Sequence, residues 1–300
     1  MAPDITSLTT ETVDESLADL DTRPVGELAA LMNQRDQEVP RAVEAALPQI
    51  TAAIEAVVER MARGGRLVYV GAGTPGRLGV LDASECVPTF NTPPGLVTGL
   101  IAGGPTALTT AVEGAEDSAE LGREDVAGLG VGPDDAVVGI ASSGRTPYVL
   151  GAVEAARAAG ALTVGLSNNA GSALSAAVDR PIEVVVGPEL VTGSTRLKSG
   201  TSQKLVLNMI STITMVRLGK TYGNLMVDVR ASNEKLVARA TGIVQRIADV
   251  DAGTAAAALT ESDLSVKDAV VRLRLGVSAE EARTRLDAAG GRLREALGEA

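Results

Sequence analysis

Apolar residues along this chain follow two spacings that alternate. Five short runs are almost continuously apolar: 67–70, 96–102, 136–141, 162–166 and 182–186. Between and beyond them apolar positions recur at helical spacing, which predicts helices over 76–86, 105–121, 147–159, 170–178 and 195–219. Strands that alternate with helices predict an α/β fold, a five-stranded parallel sheet flanked by helices. Strands buried on both faces have no polar side, which accounts for the unbroken runs. Upstream, helical spacing extends from Val25 to about Arg63, with Leu28, Leu31 and Met32 in one group and Val43, Ala46, Ile50, Ile54, Val57 and Met61 in another. Gly64-Gly65 ends it, a usual place for glycine. Residues 1–24 are polar and read as loosely ordered or wrapped on a partner. After Lys220 comes an irregular stretch at Tyr222-Gly223-Asn224, then Ala-rich helical patterns at about 232–248, 252–260, 264–274, 278–288 and 290–298. These read as a small helical C-terminal unit.

Composition narrows the chemistry. The chain has 300 residues, 38 acids against 27 bases, and a net charge of −11, which argues against nucleic acid as a partner. A single cysteine, Cys86, excludes an intrachain disulfide and fits a reducing compartment. No run reaches the roughly 18 apolar residues of a membrane span, and the acidic N-terminus lacks the layout of a signal peptide. A cytoplasmic protein with no membrane partner is expected. Histidine is absent. That removes a Ser-His-Asp triad and, with one cysteine, argues against a bound zinc. Acid–base chemistry falls to Glu, Asp, Lys or Tyr.

Two loops carry the candidate chemistry. The first apolar run ends in Gly71-Ala72-Gly73-Thr74, and a helical pattern starts near Gly76. Free N–H groups and the positive end of a helix make such a junction an anion seat. The residues Gly73, Thr74, Gly76 and Arg77 are its candidate contacts. The loop is not a dinucleotide fingerprint, because Pro75 lies inside the turn and no acidic residue ends the second strand. Nor is it a Walker A loop, which needs Gly-Lys-Ser/Thr. The third run empties into a similar loop, Ser142-Ser143-Gly144-Arg145-Thr146, before Pro147. Ser/Thr capping of a helix uses the same donors as phosphate binding, so both readings stand together. Two such loops at strand carboxyl ends point to a phosphorylated small molecule. The run 192–204, TGSTRLKSGTSQK, opens the long helix. Ser194 or Thr195 can cap it, and Arg196, Lys198 and Lys204 are cations near it; an anion contact and a solvated face are both open. Glu85 closes the first helix. Glu113 and Glu116 share a face at i, i+3 if 105–121 is one helix. From the residues alone these glutamates are equally well read as surface groups.

Five segments resemble one family. They are GAGTPGRLGVLDASEC (71–86), AVEGAEDS (111–118), VVGIASSGRTPYVLGA (137–152), TGSTRLKSGTSQKLVLNM (192–209) and YGNLMVDVRASNEKL (222–236). Their content and order are similar to N-acetylmuramic acid 6-phosphate etherases, over roughly residues 25–240. The resemblance implies a SIS phosphosugar-binding domain at 57–220, an N-terminal helical arm at 1–56 and a helical region at 221–300. It implies a phosphorylated amino sugar as substrate, Glu85 and Glu116 as the catalytic pair, and contacts to the sugar phosphate from the two loops together with Ser194 and Lys198. Two differences are visible: Pro75 stands where the family usually has serine, and Asn168-Asn169-Ala170-Gly171-Ser172 replaces a Cys-Asn-Pro-x-Ser run. The family's Thr-Glu-x-x-Asn opening is not clearly matched near Thr10-Glu11.

The implied reaction is elimination of lactate from the open-chain aldehyde, followed by addition of water. Two glutamates suffice for it, with no metal and no organic cofactor. Glu116 is expected as the C2 base and Glu85 as the acid at the ether oxygen, with Cys86-Val87-Pro88 as an apolar setting. Glu85 lies nine residues beyond Gly76, about 13 Å along a helix. That span suggests a homodimer with a shared active site. A phosphosugar sensor and an aldose–ketose isomerase are the competing readings; neither releases lactate.

Overall fold

The structure, a computed structural model, describes residues 8–229 and 233–299. The first seven residues of the arm, residues 230–232 of the last family-like motif, and Ala300 lie outside the described residues. The chain divides into two compact units, one holding residues up to Ala83 and Gly95–Ser211, the other Ser84–Pro94 and the chain from Thr212 onward.

The first unit opens with three short 3-10 turns between Thr9 and Thr22 and then α1 (Val25–Asp36), α2 (Glu38–Ala45) and α3 (Leu47–Ala62). Residues 8–24 are therefore shaped rather than loose, and Thr10 within them is fully buried. The sheet follows: β1 (Leu67–Gly71), β2 (Val97–Ile101), β3 (Ala136–Ala141), β4 (Leu162–Ser167) and β5 (Arg180–Glu183). All four pairings are parallel, in the order β2-β1-β3-β4-β5, with Gly71 opposite Ile101 on one side and Ile140 on the other. The expected α/β sheet of five parallel strands is thus present. Its helices are α4 (Gly73–Phe90), α5 (Ala119–Gly128), α6 (Pro147–Ala158), α7 (Ala173–Ala177) and α8 (Lys198–Arg217).

Three expectations need correction. The helix at 105–121 does not form as one piece. Gly103, Gly104 and Gly114 have positive φ, so the segment breaks into 3-10 turns at Gly104–Leu108 and Ala115–Asp117 before Ser118 caps α5 through Leu121 N–H. Glu113 and Glu116 consequently share no helix face. The fifth strand begins two residues early, at Arg180-Pro181; an edge strand tolerates proline because one row of its donors has no ladder partner. Helix α4 starts at Gly73 rather than Gly76. Pro75 fits its first turn, where the missing N–H has no intrahelical acceptor.

Close backbone contact sets the start of α4. A Cβ on Gly76 would lie 2.6 Å from the Gly71 carbonyl oxygen and 2.7 Å from Ile101 Cγ1. One turn on, a Cβ on Gly79 would meet Tyr69 Cβ at 2.8 Å. Helix α4 also carries the buried Asp82. Its carboxylate accepts from Tyr69 Oη (2.8 Å), Asn208 Nδ2 (2.6 Å) and Ser211 Oγ (3.2 Å), tying β1, α4 and α8 together.

The second unit holds a small hairpin, β6 (Thr221–Tyr222) with β7 (Leu225–Met226), and helices α9 (Glu234–Ala248), α10 (Ala252–Thr260), α11 (Val266–Leu275), α12 (Ala279–Ala288) and α13 (Leu293–Ala296). Val227, Ala240, Val244, Leu259, Val270, Ala282 and Leu293 share its core. Side chains of Asn233, Asp251, Ser265 and Ser278 cap α9 to α12. Each satisfies an otherwise orphaned first-turn donor.

Burial raises the pKa of Asp82, and its three hydrogen bonds only partly oppose this. A carboxyl group that holds its proton more tightly when folded supports folding fully at acid pH and loses that support as pH rises through the folded value. Asp82→Asn keeps an acceptor for Asn208 and removes the buried charge. The variant's urea midpoint should therefore gain on the parent's as pH rises from about 4 to 7; a constant difference across that window contradicts this.

Candidate functional site

Strand order reverses direction between β1 and β3. From β1 the chain steps to β2 on one side, and from β3 it steps to β4 on the other. Right-handed crossovers place the two intervening helices on opposite faces, and the packing agrees. Helix α4 meets Tyr69 and Ile140 through Gly79, whereas α6 packs its Val149 and Val153 on the face of Val68, Val70 and Val137. A crevice opens at such a reversal, at the carboxyl ends of the strands. Here it is a cleft of about 450 Å³.

Five segments of the first unit build the cleft. The β1–α4 junction supplies Ala72, Gly73, Thr74 and Pro75. The β3–α6 junction supplies Ser142, Ser143, Arg145, Thr146 and Pro147. The 3-10 turn before α5 brings Glu116 and Asp117, and the N-terminal segment and the approach to α8 add Glu11 and Thr195. The first-turn N–H groups of Gly73 and Thr74 lack intrahelical acceptors, as at any helix start; Pro75 supplies none. Thr146 occupies the N-cap of α6 without a side-chain capping bond. Ser143 Oγ accepts from the Arg145 backbone N–H at 3.2 Å. Gly144 turns between them with φ +66°, and a Cβ there would lie 2.3 Å from Ser172 Cβ. The positive ends of α4 and α6, with the Arg145 cation, favour an anion. Glu11, Glu116 and Asp117 supply acceptors suited to hydroxyl and amide donors.

Several residues singled out in the sequence lie elsewhere. Gly76 is under the first loop, against Gly71, and Gly144 shapes the second loop; neither lines the cleft. Arg77 donates from Nε to the Leu108 carbonyl at 3.0 Å. Ser194 sits in the turn before α8, where its neighbour Thr195 faces the cleft instead. Lys198 is 2% exposed. Its ammonium donates to the Val186 carbonyl (2.6 Å) and to Glu38 (3.1 Å). The start of α8 is already occupied by an anion: the buried Glu189 carboxylate accepts from the Lys198 and Ser199 N–H groups at 2.9 Å. Glu85 is exposed on α4, twelve residues beyond Gly73, within the segment Ser84–Pro94 of the second unit.

Two contributions escaped the sequence reading. Glu11 reaches the cleft because Thr10 beside it is pinned to Asn169: Thr10 N–H donates to Asn169 Oδ1 (3.4 Å), and Asn169 Nδ2 donates to Thr10 Oγ1 (3.1 Å) and to the Ser142 carbonyl (2.9 Å). Behind the second loop, Gln203 and Asn168 form a buried amide pair. Ser199, Ser202 and Gln203 at i, i+3 and i+4 were the visible trace of it, a polar stripe on a helix that proves to be fully buried.

Comparison with known proteins agrees with this geometry. Residues 49–157 match the glucokinase regulatory protein N-terminal SIS domain, and residues 223–269 match the C-terminal lid domain of glucokinase regulatory protein. A phosphoheptose isomerase from Francisella tularensis shares the fold, with a TM-score of 0.51 at 22% identity over 64% of this chain and 98% of its own. The N-acetylmuramic acid 6-phosphate etherase of Deinococcus radiodurans is 56% identical over 97% of this chain and 95% of its own length. That of Streptomyces avermitilis is 62% identical over 294 residues, 98% of this chain and 94% of its own. Likeness of this extent spans both units and every segment that builds the cleft, and the chain belongs to the N-acetylmuramic acid 6-phosphate etherase family.

Proposed function

We infer that the protein cleaves the lactyl ether of N-acetylmuramic acid 6-phosphate, giving N-acetylglucosamine 6-phosphate and D-lactate in the recycling of cell-wall amino sugars. The observation that carries this reading is the convergence, at one sheet reversal, of two helix starts, hydroxyls from Thr74, Ser142, Ser143 and Thr146, and the Glu116 carboxylate. The helix starts and hydroxyls suit a phosphoryl group. The carboxylate beside them suits proton removal from a carbon of the attached sugar.

An alkoxide is a poor leaving group, so direct displacement at the ether is slow. In the open-chain aldehyde the C1 carbonyl acidifies the C2 proton. Glu116 takes that proton, the electron pair forms the C2–C3 double bond, and the C3–O bond breaks. Glu85 gives its proton to the departing lactate oxygen and, as a carboxylate, then activates a water that adds at C3. Glu116 returns its proton to C2. Protons and electrons balance over the cycle, and both glutamates end as they began.

Twelve residues of α4 separate Gly73 from Glu85, a run of about 18 Å at the helical rise. A phosphate at the helix start is only a few bonds from C3 of its own sugar. This span supports a homodimer in which Glu85 comes from the second subunit. The phosphorylated substrate carries charge that keeps it from crossing a bilayer, which supports a cytoplasmic location. Among the described residues no helix is long and apolar enough to cross a membrane.

Purified protein incubated with N-acetylmuramic acid 6-phosphate should release one equivalent of D-lactate; phosphosugar turnover or binding with no lactate would contradict the assignment. Glu116→Gln should stop exchange of the C2 proton in deuterated water and lower kcat by about 10²-fold or more. Undiminished exchange removes Glu116 from the role of base. Glu85→Gln and Arg145→Ala chains, each inactive alone, should recover activity when unfolded and refolded together. A mixture that stays inactive argues against a shared site.

A further inference from the structure

We propose that Gln203 is a positioning residue that forces the Ser142 hydroxyl to act as a donor into the cleft. The inference rests on the reading above, in which Ser142 touches the phosphoryl group of the substrate.

The argument starts from a group that can only accept. The Val184 carbonyl receives a hydrogen bond from the Asn168 side chain at 2.8 Å, so the atom facing it is Nδ2. The same Nδ2 donates its other hydrogen to Ser202 Oγ at 2.8 Å, and Ser202 passes its own proton to the Ser199 carbonyl at 2.7 Å. With Nδ2 assigned, the other end of the Asn168 amide is Oδ1, which needs a donor. Gln203 Nε2 supplies it at 2.9 Å. The second hydrogen on Nε2 goes to Ser142 Oγ at 2.8 Å. Rotating the Gln203 amide by half a turn would set two carbonyl oxygens against each other. The observed orientation leaves Gln203 Oε1 buried with no partner among the described residues, so an acceptor is left idle to keep both donors in place.

Asn168, Gln203 and Ser202 are fully buried and Ser142 is 6% exposed. Water therefore does not compete for these bonds, and polarity set at Val184 passes intact to the cleft wall. Among the described residues, Ser142 Oγ makes this one side-chain hydrogen bond, as acceptor. Its proton is left for whatever occupies the cleft that Ser142 lines. A hydroxyl held as a donor favours an anion such as a phosphoryl oxygen. A freely rotating one can equally offer a lone pair, which a phosphoryl group repels.

Gln203→Glu reverses this with little change of shape. A carboxyl group has at most one proton for two acceptors, so Asn168 Oδ1 takes it, or no proton is present, and Ser142 turns its hydrogen inward. KM for N-acetylmuramic acid 6-phosphate should rise about 10-fold or more while kcat stays within about 2-fold, because the lost bond exists in ground and transition states alike. The inhibition constant of inorganic phosphate, which binds without chemistry, should rise in parallel. Ser142→Ala should also raise KM, and the double variant should match Ser142→Ala alone. If Ser142→Ala leaves KM and phosphate inhibition unchanged, the phosphate reading of Ser142 fails. If Ser142→Ala raises KM but Gln203→Glu does not, or if the two effects multiply in the double variant, the positioning role is overturned. Should the glutamate variant not fold, Gln203→Met, which neither donates nor accepts, carries the same comparison, with a smaller rise in KM and the same non-additivity.

Discussion

Gly71 and Gly76 allow the end of β1 and the start of α4 to touch backbone to backbone, and the cleft depends on that contact. Any side chain at Gly76 would meet the Gly71 carbonyl oxygen at 2.6 Å. Without the contact the first turn of α4 would stand off from the sheet, and its free N–H groups would not face those of the second loop. On the other side of the reversal, Gly144 performs the matching task by turning the chain against Ser172. Two helix starts that lie on opposite faces of a sheet can converge on one ligand only where the strand order reverses.

Around this convergence, buried polar groups hold the surrounding elements in place. Asp82 ties α4 to β1 and α8 through three neutral donors. Glu189 neutralises the start of α8, which leaves α4 and α6 as the helix ends facing the cleft. Asn169 binds the Thr10 turn to the second loop and so delivers Glu11. A site made of backbone and hydroxyl donors relies on the bonds of such supports to keep its geometry, since an unmade buried hydrogen bond costs about 1–3 kcal/mol.

Much of this was legible in the sequence, for identifiable reasons. The runs at 67–70 and 136–141 stood out because both faces of those strands are covered. The C-terminal helices stood out because that stretch is Ala-rich and its apolar residues recur at helical spacing. The two loops were recognisable as strand-to-helix junctions rich in Gly, Ser and Thr. Spacing alone could not show that positive-φ glycines cut 105–121 into turns, or that Arg180-Pro181 opens an edge strand. Nor could it separate a cation beside a ligand from one buried against a carbonyl, as Lys198 is. Glu11 and Gln203 owe their places to partners more than thirty residues away, Asn169 for the turn of Glu11 and Asn168 for Gln203, and a local pattern such as the polar stripe of α8 does not name those partners.

The central claim is that the phosphoryl group of the substrate sits where β1 and β3 hand over to α4 and α6. A crystal structure with N-acetylglucosamine 6-phosphate tests it most directly. The account predicts phosphoryl oxygens within hydrogen-bond distance of Thr74, Ser142 and Thr146, with Glu116 beside the sugar carbons. A ligand bound elsewhere, with both loops empty, would contradict it.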